Sequence, residues 1–226
     1  PPLASDAAST ALHMLAESHD PEWGGFGDAP KFPQAPVLEF LLRHLALYPQ
    51  SRPTVEPMLR KTLDAMRAGG IYDQIGGGFA RYSVDAQWLI PHFEKMLYDN
   101  ALLARIYLRA GQILDEPAYT ATAVETLDYL ATEMADPGGG IHAAEDADSE
   151  GVEGKYYVWE WDEFQAVVGG DAAIVADLYG VTPAGNFEGA TNLHMAQPAA
   201  AVAARHDISI EDVLAAKNRA DAVLLE

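Results

Sequence analysis

The sequence predicts a mainly α-helical protein built from antiparallel helical hairpins. Three observations carry that expectation. Apolar residues recur at spacings of three and four along most of the 226 residues, the period of a helix with one buried face. Glycine clusters near positions 24, 76 and 138, spaced 52 and 62 residues apart, each open a connector that leads through an aromatic or histidine and a polar stretch into a new helix. Strand-like sequence is confined to short aromatic pieces inside those connectors. The spacing is too long for tetratricopeptide or ankyrin repeats and fits two helices plus a loop. Such hairpins either stack as a solenoid or close into an α/α toroid. In a toroid, the long loops and the inner-helix N-termini that follow them share one rim.

The elements follow in order. The chain opens on PPLASDAAS, a linker-like entry, into a helix from Ser5 or Asp6 to Ser18 with Ala8, Ala11, Leu12 and Leu15 on one face. Pro36 stands in the first turn of a helix over 35–48, where a missing N–H does least harm, and Pro49 ends it. Met58, Leu59, Leu63 and Met66 mark a helix over 54–68 that Gly69-Gly70 stops. A fourth helix is predicted over IPHFEKMLYDNALLARIYL, residues 90–108, and a fifth over 118–134, ended by Pro137-Gly138-Gly139-Gly140. KYYVWEW (155–161) reads as a short strand, with a second at 192–195. Helices over 160–168, 171–179, 199–205 and 210–224 complete the chain, the last with Ser209 and Asp212 as a capping box.

Composition narrows the function. With 49% hydrophobic and 21% charged residues the chain has the make-up of a globular domain, or part of a larger one, with a sizeable core. It has no cysteine, which excludes disulfides, thiolate nucleophiles and Cys-ligated zinc, and fits a reducing, cytoplasmic setting. Fourteen Lys and Arg against 34 Asp and Glu give a formal charge of −20, a surface that repels phosphate backbones, so no nucleic-acid partner is expected. No apolar run is long enough to span a membrane, and no membrane partner is expected.

The segment 90–108 concentrates chemistry at one end. As a helix it puts Phe93, Leu97, Ala101, Ala104, Tyr107 and Leu108 on an apolar arc, with Asn100 inside the arc and His92, Lys95 and Asp99 beside it. In one reading Lys95 and Asp99 are an i,i+4 ion pair and His92 and Glu94 favourable first-turn residues. In the other they form a site: His92 as proton shuttle, Glu94 as acid or base, Lys95 as the cation beside Asp99 or a developing oxyanion. Asn100, if buried, must find partners in a loop carbonyl or a substrate hydroxyl.

The connectors add Lys31 from the first, Asp73, Arg81, Tyr82 and Trp88 from the second, and Asp146, Asp148 and Trp159 from the third. Rings with carboxylates, amides and arginine suit a small saccharide, whose apolar face stacks on an aromatic while its hydroxyls take the polar groups. DADSEGVEGKYY begins like a calcium loop, but Tyr157 stands where a bidentate glutamate is required, which leaves a looser cation site or an Asp/Ser turn bonded to its own backbone as the expected roles of Asp146 and Asp148. His142 with Glu145 and Asp146 falls short of a metal-ligand set, so neither metal nor cofactor is expected. GGGFARY lacks the Lys-Ser/Thr of a phosphate-binding loop.

The stretches GGFGDAPKFP, GGIYDQIGGGFARYSVDAQWLIPHFEKMLYDNALL and DADSEGVEGKYYVW resemble the thioredoxin-domain-containing family related to the spermatogenesis-associated thioredoxin-like protein of animals, over most of residues 20–165. The resemblance implies that residues 1–226 are a piece of one (α/α)6 toroid, similar to those of N-acylglucosamine 2-epimerases and six-hairpin glycosidases, with an N-terminal thioredoxin-like domain and a second toroid half elsewhere in the full-length chain. The motif positions carried over are Lys31, Asp73, Arg81, His92, Glu94, Lys95, Asp99, Asn100, Asp146 and Asp148. The implied function is carbohydrate chemistry, by fold analogy.

Three functions follow. One is a sugar-active enzyme, epimerase- or isomerase-like through His92, or glycosidase-like through Asp73 and Glu94 flanking a glycosidic bond. The second is a non-catalytic binding or scaffold domain. The third is an adaptor that works only with the thioredoxin-like domain. Convergence of Asp73, Arg81, His92, Glu94 and Asp146 on one cavity distinguishes the first. An open toroid piece would expose an apolar edge, so a homodimer of the fragment is expected.

Overall fold

A computed structural model describes residues 6–225; the linker-like entry expected at 1–5 lies outside them. Among the described residues the protein is mainly α-helical, a partial toroid of helical hairpins with short antiparallel strand pairs in the long connectors. The helices are α1 (Ala7–Ser18), α2 (Ala35–Leu47), α3 (Arg52–Ala68), α4 (Leu97–Leu114), α5 (Pro117–Thr132), α6 (Trp161–Val168), α7 (Ala172–Tyr179), α8 (Ala199–His206) and α9 (Ile210–Leu224). The strands are two residues each: β1 (Tyr82–Ser83), β2 (Pro91–His92), β3 (Lys95–Met96), β4 (Ala144–Glu145), β5 (Asp148–Ser149), β6 (Val152–Glu153), β7 (Val158–Trp159) and β8 (Thr191–Asn192). They pair β1–β2, β3–β4, β5–β6 and β7–β8, all antiparallel.

Local chemistry starts and stops the helices. Pro36 and Pro117 occupy first turns, and the Ser209 hydroxyl accepts from the Asp212 amide at 3.0 Å while Asp212 Oδ2 accepts from the Ser209 amide at 3.3 Å. The end of α3 has a different cause from the left-handed glycine cap that the sequence suggests. Gly69 is extended (φ −74°, ψ 170°), and the bend at Trp88 and Leu89, where Trp88 is left-handed (φ 65°), crosses directly over it. A Cβ on Gly69 would lie 2.4 Å from the Trp88 carbonyl oxygen, and one on Gly70 2.1 Å from that of Leu89. Glycine is needed there for close approach rather than for turning.

The main core joins α2, α3, α4 and α5 through Leu38, Leu41, Leu59, Leu63, Tyr107 and Tyr119. A second core under α6, α7 and α9 holds Phe164, Val175, Tyr179, Ala216 and Ala220. The three glycine-rich connectors form a continuous layer at one end of these helices. Lys31 of the first bridges to Ser83 of the second, and Lys95 of the second pairs with Glu145 of the third. Asn192 then ties the fourth long loop to the second, donating to Gly70 O at 3.0 Å and Leu89 O at 2.9 Å.

The fourth helix starts later than its apolar period suggests and runs further, to Leu114. It begins at Leu97, seven residues after Ile90, and residues 90–96 are extended. The backbone groups of this stretch are consumed by neighbours: Ile90 O accepts from Val84 N and Glu94 O from Arg81 N, both at 2.8 Å, and β2 and β3 pair with β1 and β4. Inter-segment pairing overrides local helix propensity. Lys95 and Asp99 are therefore no i,i+4 helix pair. His92, Glu94 and Lys95 lie before the helix rather than in its first turn.

Candidate functional site

Extended backbone alternates its side chains, and this divides residues 91–95 between two environments. Pro91, Phe93 and Lys95 are buried and line a cavity of about 220 Å³ together with Asp73, Gln74, Tyr156, Tyr157 and Trp159. Asp73, Gln74, Ile75, Gly76, Lys95 and Tyr156 also line an adjoining cleft of about 910 Å³, walled on its far side by α5 and α9. His92 and Glu94 point the other way.

Lys95 is the centre of the first environment. Its side chain is 4% exposed, and its Nζ donates to Asp73 Oδ2 at 2.8 Å and to Gly77 O at 3.0 Å. The ammonium also lies 4.4 Å from the centre of the Tyr129 ring and 4.8 Å from that of Tyr157, within cation–π range of both. Asp73 fixes the connector that presents it, its Oδ1 accepting from the Ile75 and Gly76 amides at 2.9 Å each. Gly78, at φ +79°, lets that turn lie flat on Tyr129, since a Cβ there would stand 2.6 Å from the ring. Glu145 accepts from the hydroxyls of both Tyr129 and Tyr157, tying the third connector to α5. Burial, reinforced by the Glu145 carboxylate, pushes both phenols well above the ordinary tyrosine range, so they serve as hydrogen-bond donors.

The second environment is a surface cluster. Arg81 Nη1 meets Glu94 Oε2 at 3.1 Å, His92 Nδ1 lies 2.6 Å from Glu153 Oε1, and the His92 ring stacks on Tyr82 at 5.1 Å. Asp99, in the first turn of α4, faces this cluster. Burial, offset in part by Arg81 and reinforced by Glu94, lifts its carboxyl to about 6, and its buried Oδ2 has no hydrogen-bond partner among the described residues.

The remaining candidates are spread through the framework. Lys31 and Trp88 are fully buried; Lys31 Nζ donates to Asp20 at 2.5 Å and to the Gly24 and Ala86 carbonyls at 2.9 Å each, and lies 5.6 Å from the Trp88 ring centre. Burial works against the Asp20 anion, but the Lys31 bond and the Trp23 and Glu22 amides outweigh it and hold the carboxyl at about 2. Asn100 finds the loop partner its burial demands: its amide oxygen accepts from Phe79 N at 2.6 Å, and its nitrogen donates to Phe79 O and Met96 O at 3.0 Å. Asp146 and Asp148 are exposed, and Asp146 Oδ1 accepts from the Asp148 amide at 3.1 Å, the backbone-bonded turn that is one of their two expected roles. Glu150, the third would-be calcium ligand, pairs with Lys155 instead. Among the described residues no three His, Cys, Asp or Glu side chains come together to hold a metal.

The structure thus brings Asp73 and Lys95 to the boundary of the two cavities and Trp159 to the smaller one, and Arg81, Tyr82, His92, Glu94 and Asp99 to the opposite surface. Asp146 borders neither cavity. Tyr129 and Glu125 read in the sequence as ordinary helix residues in the period of α5. Their signal was available only in the glycines facing them.

Helical hairpins with knitted connectors beside one cleft make a helical-toroid fold that two solved sugar epimerases share. The cellobiose 2-epimerase of Spirochaeta thermophila superposes with a TM-score of 0.55 at 22% identity, covering 60% of this chain and 36% of that one. A sugar epimerase from a ruminal bacterium gives 0.54 at 12% identity, covering 74% and 46%. At such identities the likeness is one of fold. No family model matches the chain. In sequence, spermatogenesis-associated protein 20 of Homo sapiens is 40% identical over 207 residues, 83% of this chain and 26% of that protein. An uncharacterized protein of Caenorhabditis elegans is 38% identical over 195 residues, 78% and 27% respectively. The chain spans about a quarter of the length of these curated relatives. None of the helices among the described residues is long and apolar enough to cross a membrane.

Proposed function

We propose that this chain contributes a saccharide-binding site, with the cleft at Asp73 and Lys95 as its floor. The observation that supports it is the pairing, in one open cleft, of accessible rings with hydrogen-bonding groups. Tyr156 is 70% exposed and borders both cavities, and Trp159 lines the smaller one beside Gln74 and Asp73. Such rings cover the apolar face of a sugar, and the convergent polar groups take its hydroxyls. The sugar epimerases that share the fold point the same way, by analogy.

Within that reading the groups divide by role. Asp73 is the one of the three acid–base candidates that borders the cleft, and its lone pairs already serve Lys95 and two amides. Glu145 is engaged by two phenols. No histidine is among the residues lining either cavity. Isomerase- or glycosidase-like turnover would therefore draw on further groups, and binding is the role these residues support directly.

Calorimetric titration of the full-length protein with a panel of mono- and disaccharides tests this. Binding that Tyr156→Ala and Lys95→Met each abolish supports the cleft. Absence of heat across the panel overturns it and favours a scaffold serving a thioredoxin-like domain.

A further inference from the structure

We infer that the saccharide this site prefers is a glycoside with an apolar aglycone: the sugar lies in the open cleft, and the aglycone, a single aromatic ring or short alkyl group, fills the smaller cavity. The inference rests on the saccharide reading and adds the chemistry of the ligand's other half.

The two cavities meet at Asp73, Gln74, Lys95 and Tyr156, which line both. Beyond that junction their walls differ. The smaller cavity adds Ile71, Ala80, Pro91, Phe93, Leu193 and Leu224, all buried and apolar, with the rings of Tyr157 and Trp159. The larger adds exposed polar groups such as Glu125, Asp128, Thr132 and Glu133. Most donors around the smaller cavity are already engaged by the protein. The Asn192 amide nitrogen donates to Gly70 O and Leu89 O, and the Tyr157 hydroxyl donates to Glu145. The Gln74 amide nitrogen donates to the carbonyls of Arg67, Gly69 and Tyr72, and Lys95 Nζ to Asp73 and Gly77 O. That leaves few groups, the Trp159 N–H and the Gln74 amide oxygen among them, for the several hydroxyls of a sugar ring, and each hydroxyl stranded there costs free energy.

An apolar group meets no such cost and gains from the same walls. The volume, about 220 Å³, compares with roughly 150 Å³ for an apolar protein cavity that takes up benzene. Packing behind the wall holds the cavity in shape. The Phe93 ring stacks on Tyr157 at 5.6 Å and meets Phe187 in an edge-to-face contact at 5.3 Å. Gly154 lets its loop close on the same ring, where a Cβ would stand 2.5 Å from Phe93. Tyr156, at the junction and largely exposed, gives a face to the sugar, and the polar wall of the larger cleft takes its hydroxyls.

The test titrates the full-length protein calorimetrically with glucose and galactose and with the methyl and phenyl glycosides of each, in both anomers. The phenyl glycoside of the accepted sugar is expected to bind about tenfold or more tightly than its methyl counterpart, with a more negative heat-capacity change from the extra apolar burial. Ala80→Val, which narrows the smaller cavity, is expected to remove that gain. The ligand series on the unaltered protein stands by itself should the variant not fold. Equal affinities for methyl and phenyl glycosides, or a phenyl gain that persists in a folded Ala80→Val variant, overturn the inference and leave saccharide binding intact. Binding by none of these ligands overturns both.

Discussion

The two faces of the segment 91–95 make the most instructive comparison in the molecule. Five consecutive residues supply a buried lysine with two hydrogen-bond acceptors to a cleft on one side and a partly exposed histidine and glutamate to the protein surface on the other. On the cleft side the charged groups are enclosed by Tyr129 and Tyr157 and held by backbone carbonyls and amides. On the surface side the Arg81–Glu94 pair, with side chains 41% and 26% exposed, is open to water and to salt. Neighbouring charges in one short stretch therefore differ in consequence because of what lies behind each, which follows from the alternation of extended backbone.

The sharpest way to break the comparison is Lys95→Met. It leaves Asp73 without its cation and the Gly77 carbonyl without a donor, and should cost about 3 kcal/mol in urea unfolding, as expected for removing one partner of a buried pair. A loss below about 1 kcal/mol, typical of exposed pairs, would erase the distinction between the faces. Asn100→Ala comes next. It strands the Phe79 N–H and C=O, both bonded to the buried amide, and should cost about 2 kcal/mol while loosening the connector that carries Asp73. Amide exchange at Phe79 should rise in that variant.

Asp99 sharpens the comparison through pH. Its folded-state carboxyl titrates near 6, above the ordinary 3.8, so the folded protein holds the proton more tightly than the unfolded chain. Stability from this group is present below about pH 4 and lost as pH rises to about 6. Asp99→Asn should therefore unfold at higher urea than the parent at pH 7.5, by about 1 kcal/mol after allowing for partial exposure, and match it near pH 4. Equal midpoints at both pH values would mean that the carboxylate is satisfied. The smallest effect is expected from Glu94→Gln, whose urea midpoint should coincide with the parent's at moderate salt.

Much of this was legible in the sequence. The 3.6-residue period located the helices, and the Pro36 and Ser209–Asp212 signals fixed the starts of α2 and α9 at Ala35 and Ile210. The burial of Asn100 inside the apolar arc of α4 demanded a loop partner, and Phe79 supplies it. The start of α4 was misjudged because PHFEK fits two periods. Read at 100° per residue it extends the apolar arc of a helix; read at period two it separates Pro91, Phe93 and Lys95 from His92 and Glu94. Five residues do not decide between them.

Spacing and composition, then, fixed what is local or statistical: helices, caps, turns, a negative surface and the hairpin plan, because each depends on nearby residues or on totals. The backbone partners of residues 90–96, the pairing of Lys95 with Asp73 instead of Asp99, and the placing of Tyr129 beneath that ion pair were decided by tertiary structure alone. Those choices depend on which hydrogen-bonding groups and rings three distant connectors bring into contact, and no local pattern encodes them.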